Sequence, residues 1–79
     1  MNLEKIADLI KSKRKEKNLT QAELAEKLHV TEKAISRWET GRGTPDISLL
    51  LPLSNILGVS ISEILSGKED EKSNESIKE

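Results

Sequence analysis

The chain has 79 residues, 34% of them charged and 34% apolar, with one Trp as its only aromatic side chain, which makes one small domain at most. It has no cysteine, which excludes a disulfide framework and a Cys-based metal site, and its single histidine leaves little for acid–base or metal chemistry. The net charge of −1 excludes a strongly basic surface, so any contact with nucleic acid must depend on how charge is arranged.

A chain this short buries only about 60% of its unfolded surface, so modest stability is expected. The N-terminal stretch MNLEKIADLI has an acid at position 4 and no long apolar run, unlike a signal peptide. No segment approaches the roughly 20 apolar residues of a membrane span. With no cysteine to oxidise, the chain suits a reducing compartment, and a cytoplasmic location is expected.

Leu3, Ile6, Leu9 and Ile10 recur at helical spacing, and the pattern predicts a first helix from about Leu3 to Lys17. Its second half, KSKRKEK, places cations where a helix C-terminus favours them. Asn18 tolerates the left-handed stop that follows. A second helix starts after Thr20, which has capping-box spacing with Glu23, and buries Leu24, Ala25 and Leu28. A third starts after Thr31, points Ile35 and Trp38 inward and ends at Gly41.

After a loop over residues 42–45, Asp46 is placed to cap a fourth helix carrying Ile47, Leu49, Leu50, Leu51, Leu53, Ile56 and Leu57. Pro52 lies within that run and predicts a kink or an irregular first turn. Gly58 ends it. Ser60 and Glu63 form a second capping box for a short fifth helix that stops at Gly67. No strand is expected, because apolar residues never alternate at period two over a useful length. The fold expected is all-α, a compact five-helix bundle over 1–67 followed by a charged tail or linker over 68–79. That tail holds three Lys against five acids, has Ile77 as its only apolar residue, and is expected to be disordered. Residues 1–67 carry ten Lys/Arg against nine acids.

Residues 20–39, TQAELAEKLHVTEKAISRWE, carry the functional signal. Two capped helix starts lie eleven residues apart, separated by a turn too short for anything but a sharp bend, which is the plan of a helix-turn-helix. On a wheel of about 100° per residue, with Ile35 at zero, the core side of the third helix centres near 330°. Lys33, Ser36, Arg37 and Thr40 then point away from the core, and Glu32 projects forward from the first turn. Most helices with one polar face are merely solvated there, but the paired caps and short turn argue for a face that enters a DNA major groove. Arg and Lys donate to guanine O6 and N7, and Glu accepts from cytosine N4. Glu32, Lys33 and Arg37 are therefore the expected base-reading residues, with Ser36 as a lesser contact. Glu39 falls on the core side, where a carboxylate needs a partner. Arg14, at the end of the first helix, is the expected one, forming an ion pair that ties the two helices together.

The pattern T-Q-A-E-L-A-x-x-L, then V-T-x-x-x-I-S-x-W-E-x-G, then LGVSISEIL, resembles the Cro and phage-repressor family, also called the xenobiotic-response-element type. The resemblance spans about residues 4–67. It implies a five-helix domain that binds a double-stranded DNA operator, usually as a homodimer on a near-palindromic site, and regulates transcription, most often as a repressor. Position by position, it implies phosphate contacts by Gln21, at the start of the second helix, and by Arg42. It also matches Glu32, Lys33 and Arg37 to base-reading positions and Arg14 with Glu39 to an interhelical ion pair. Thr40 joins the expected phosphate contacts. His29 departs from the family, which commonly has Gly at that turn. His tolerates positive φ better than most residues, so a strained turn residue is expected there.

No catalytic residue, metal ligand or cofactor is expected, because the chain lacks a phosphate-cradling Gly loop and a cluster of metal ligands. The competing reading is a protein-interaction or coactivator module of the same fold, or an antitoxin-type autorepressor. An adaptor would expose apolar residues on the third helix, whereas here the outward side is polar. Val59, Ile61 or Ile64 are the expected apolar contacts of a dimer. The tail reads equally as a natural end or as a linker to a further domain.

Overall fold

The computed structural model describes residues 2–67; the tail expected over 68–79 lies outside them. Five α-helices follow one another: α1 (Leu3–Glu16), α2 (Gln21–Leu28), α3 (Glu32–Glu39), α4 (Leu50–Leu57) and α5 (Ile61–Ser66). No strand occurs among the described residues.

Local chemistry sets each boundary. Asn2 caps α1, its side chain accepting from Lys5 N–H at 3.0 Å. Thr20 and Glu23 form a reciprocal capping box at 3.0 and 2.8 Å, and Ser60 and Glu63 repeat it at the same distances. Thr31 caps α3 by accepting from Ala34 N–H at 3.1 Å. Two of the stops are left-handed without glycine, Asn18 at φ 58° and His29 at φ 60°.

Asp46 does act as a cap, but of a single 3-10 turn over Ile47–Leu49 rather than of α4 itself. The irregular first turn expected from Pro52 is this one. With α4 beginning at Leu50, Pro52 falls in its first turn, where the missing N–H would have had no intrahelical partner.

The core joins all five helices. Ile6 and Ile10 meet Leu24, Ala25 and Leu28, then Ile35 and Trp38, then Leu50, Leu53, Leu57, Val59 and Ile64. Each large side chain sealed this way contributes about 1.5–3 kcal/mol. The packing brings α5 against α1 so closely that a Cβ on Gly67 would lie 2.6 Å from Lys5 Cβ and 2.9 Å from the Ile6 nitrogen. Gly67 therefore serves both a left-handed stop and a close helix approach.

Not every apolar position of the predicted helices reaches this core. Ile47 is 82% exposed and Leu51 60%, with Leu65 and Leu3 exposed in part. The expected dimer contacts need correction here. Val59 and Ile64 are buried and Ile61 is half-buried, because the α4–α5 junction turns its apolar residues inward. Among the described residues, the large apolar side chains left exposed are Ile47, Leu51, Leu65 and Leu3 instead.

His29 ends α2 in the left-handed region, its N–H bonded to Ala25 and Glu26 carbonyls. A side chain there costs conformational energy that glycine avoids, partly offset by the greater freedom glycine has when unfolded. His29→Gly should raise stability by about 0.5–1 kcal/mol, seen as a higher midpoint in thermal unfolding. A lower midpoint would mean that contacts of the imidazole outweigh the backbone strain.

Candidate nucleic-acid interface

α2 and α3 pack against each other across residues 29–31, with Val30 N–H returning to the Ala25 carbonyl at 3.0 Å. That bond and the left-handed His29 close the turn within three residues. Ile35, fully buried, and Trp38 anchor α3 to the core. The opposite side, with Glu32, Lys33, Arg37 and Thr40, is exposed, and Ser36 is half-buried. The helical wheel and the three-dimensional packing therefore agree on which face looks outward.

The orientation of α3 rests on a polar network at its C-terminal end. Arg14 Nε donates to Glu39 Oε2 at 2.6 Å and Arg14 Nη2 donates to Oε1 at 3.0 Å, a two-bond fork. Both side chains are withdrawn from water, at 9% and 2% exposure. Arg14 Nη1 donates to the Leu19 carbonyl at 2.7 Å, which fixes the link between α1 and α2. The bond to Glu39 raises the Arg14 pKa above its ordinary value; burial opposes this and the charge attraction adds to it.

Gln21 belongs to the same network, which its sequence position did not suggest. Its Nε2 donates to Glu39 Oε1 at 3.0 Å. A carboxamide has a second N–H and a free carbonyl, so Gln21 keeps a donor for a phosphate while Glu39 holds it in place.

At the far end of the face, two expected contacts are already occupied. The Thr40 hydroxyl donates back to the Ser36 carbonyl at 2.9 Å and lies 3.3 Å from that of Arg37, so it offers a phosphate no donor in this rotamer. Arg37 Nη2 donates to the Arg42 carbonyl at 3.3 Å, drawing the guanidinium toward the loop after α3. Arg42 itself is exposed, with its N–H on the Arg37 carbonyl at 2.9 Å. Lys33, Ala34, Arg37, Trp38, Gly43 and Thr44 border a shallow recess of about 350 Å³ between α3 and this loop. The sequence singles out Arg42 in this loop as a phosphate contact but gives Gly43 and Thr44 no role, and the Gly41-Arg42-Gly43 run was the available signal.

Among the described residues, no three His, Cys, Asp or Glu side chains are grouped to hold a metal ion. Nor is any helix there long and apolar enough to cross a membrane.

Known proteins resemble this chain in sequence and fold. The chain is 51% identical over 53 residues to the HTH-type transcriptional activator BcrR of Enterococcus faecalis, a match covering 67% of this chain and 26% of that protein. It is 35% identical over 60 residues to the immunity repressor protein of Bacillus phage phi105, covering 76% of this chain and 42% of that protein. The chain thus spans less than half the length of either. The structure of the clp gene regulator ClgR from C. glutamicum superposes with a TM-score of 0.72 at 30% identity, covering 85% of this chain and 86% of that one. The helix-turn-helix family model HTH_3 matches residues 10–64. On this match, and on the fold and face already described, the chain belongs to the HTH_3 helix-turn-helix family, the Cro/phage-repressor type of DNA-binding transcription regulators.

Proposed function

We propose that α3 enters the major groove of a double-stranded operator and that Glu32, Lys33, Ser36 and Arg37 read base edges there. The observation that carries this is the exposed polar face of α3 on a helix anchored by Ile35, Trp38 and the Arg14–Glu39 pair. A reading helix needs that rigidity, since base contacts discriminate only when their geometry is held. Gln21 and Arg42 supply phosphate contacts on either side, assisted by the free N–H groups at the start of α2. Thr40 joins them only by giving up its bond to the helix carbonyls.

The regulator acts by occupying its operator, as a repressor in the cytoplasm, and it works without cofactor or catalysis. Two copies bind a near-palindromic site, with their reading helices about 34 Å apart along the duplex. The exposed Ile47, Leu51 and Leu65 favour such a pairing, since apolar surface of this kind gains by being covered. The polar exterior of α3 favours DNA over a coactivator role, because a protein-docking helix would expose apolar residues there.

An NMR titration with a library of 20-base-pair duplexes tests the reading. Amide shifts concentrated at Gln21, Lys33, Ser36, Arg37 and Arg42, weakening as salt rises, are the expected result. If these amides stay still while the Trp38 indole reports an intact fold, DNA binding by this face is refuted and protein partners become the target.

A further inference from the structure

We infer that the segment Arg42–Gly43 is a rest that aims the Arg37 guanidinium, making Gly43 a positioning residue for base specificity. This builds on the proposed reading of DNA by α3.

Two hydrogen bonds close residue 37 onto residue 42. The Arg42 N–H donates to the Arg37 carbonyl at 2.9 Å, and the Arg37 guanidinium donates back to the Arg42 carbonyl at 3.3 Å. The first fixes where the loop leaves α3. The second uses that fixed loop to hold a long side chain that would otherwise sample many rotamers. Gly43 completes the rest. A Cβ there would lie 3.6 Å from Arg37 Nη2 and 3.8 Å from Nε, and apart from its chain neighbours it would meet nothing else within 4 Å. The guanidinium edge therefore lies over the bare Cα of Gly43.

Backbone conformation does not explain this glycine. Gly41, Gly58 and Gly67 all have positive φ, where a side chain is strained, and Gly43 does not. Its distinguishing feature is the room it leaves for Arg37. One Nη2 hydrogen is spent on the Arg42 carbonyl, so the second Nη2 hydrogen and the Nη1 pair remain free. Those are the parallel donors a guanine O6/N7 edge accepts. Holding the fork before DNA arrives removes part of the ordering cost on binding. A loop that touches no base would then decide how sharply one base is read.

Selection of preferred duplexes from a randomised library measures this position by position. We compare the unmodified protein with Gly43→Val, Gly43→Ala and Arg37→Lys, each checked by thermal unfolding. Arg37→Lys keeps the charge and loses the fork, and it should reduce guanine preference at one position by roughly tenfold. Gly43→Val should relax that same position to a similar extent, because the branched side chain displaces the guanidinium, and should leave the other positions unchanged. Gly43→Ala, whose Cβ sits at ordinary contact distance, should restore the preference. Unaltered preferences in Gly43→Val, or an equal decline at every position with a lower melting temperature, would overturn the positioning role while leaving DNA reading intact. If the unmodified protein enriches no sequence, both readings fall together.

Discussion

Arg14→Met should lower the unfolding free energy by about 3 kcal/mol, within the range for breaking a buried ion pair from one side. The substitution keeps the apolar stem but removes three donors at once. Glu39 Oε2 loses its 2.6 Å partner, Oε1 keeps only Gln21, and the Leu19 carbonyl is left without the guanidinium. The Glu39 side chain is 2% exposed, so water does not readily replace what is lost. A domain of this size holds roughly 3–10 kcal/mol in total, and the melting temperature should fall by roughly 12–24 °C. Circular dichroism melts of the two proteins check this, and a midpoint within a few degrees of the original would show that the pair is energetically idle. Replacing Glu39 by Leu in the same chain should recover part of the loss, because removing both charges is milder than stranding one. No pH dependence should come from Arg14. Its raised pKa keeps its stabilisation fully present below the unfolded value, and that is lost only as pH climbs through the folded one, far into alkali.

The largest effect on DNA binding should come from the paired change Lys33→Ala and Arg37→Ala. Both residues are exposed, so the fold should melt as before. Each well-formed base contact is worth about 1–3 kcal/mol of discrimination, so the pair should weaken binding to a selected duplex by roughly a hundredfold or more. Arg42→Ala provides the contrast. Loss of one phosphate contact should weaken binding to all sequences alike and flatten the dependence of log K on log salt by about 0.9. Binding isotherms at two salt concentrations, on selected and scrambled duplexes, separate these patterns. A uniform loss from the Lys33 and Arg37 changes would reassign those side chains to the backbone.

Much of the site was legible in the chain because it depends on local rules. Thr20, Thr31 and Ser60 mark helix starts through hydrogen bonds that span three residues, and the wheel positions of Ile35 and Trp38 settle which face of α3 looks outward. The Arg14–Glu39 contact followed from a different constraint, that a carboxylate on a core-facing position needs a cation. Other contacts were not legible, since they depend on how rotamers fall once helices have docked. Gln21 turns toward Glu39, Arg37 folds onto the Arg42 carbonyl, and Thr40 bonds its own helix.

The same division holds for the apolar residues. The sequence reads Ile47 and Leu51 as part of the apolar run of the fourth helix, and Val59, Ile61 or Ile64 as apolar contacts of a dimer. The 3-10 turn before α4 and the docking of α5 on α1 leave Ile47 and Leu51 outside while sealing Val59 and Ile64. By itself, the sequence determined five helices with caps at Thr20, Thr31 and Ser60, a sharp turn between α2 and α3 and a polar outer face on α3. Each of these follows from residues within one or two helical turns of one another. Which side chains brace one another, and which apolar surface remains uncovered, only the tertiary structure decided, because those outcomes depend on distances between helices that no local pattern encodes.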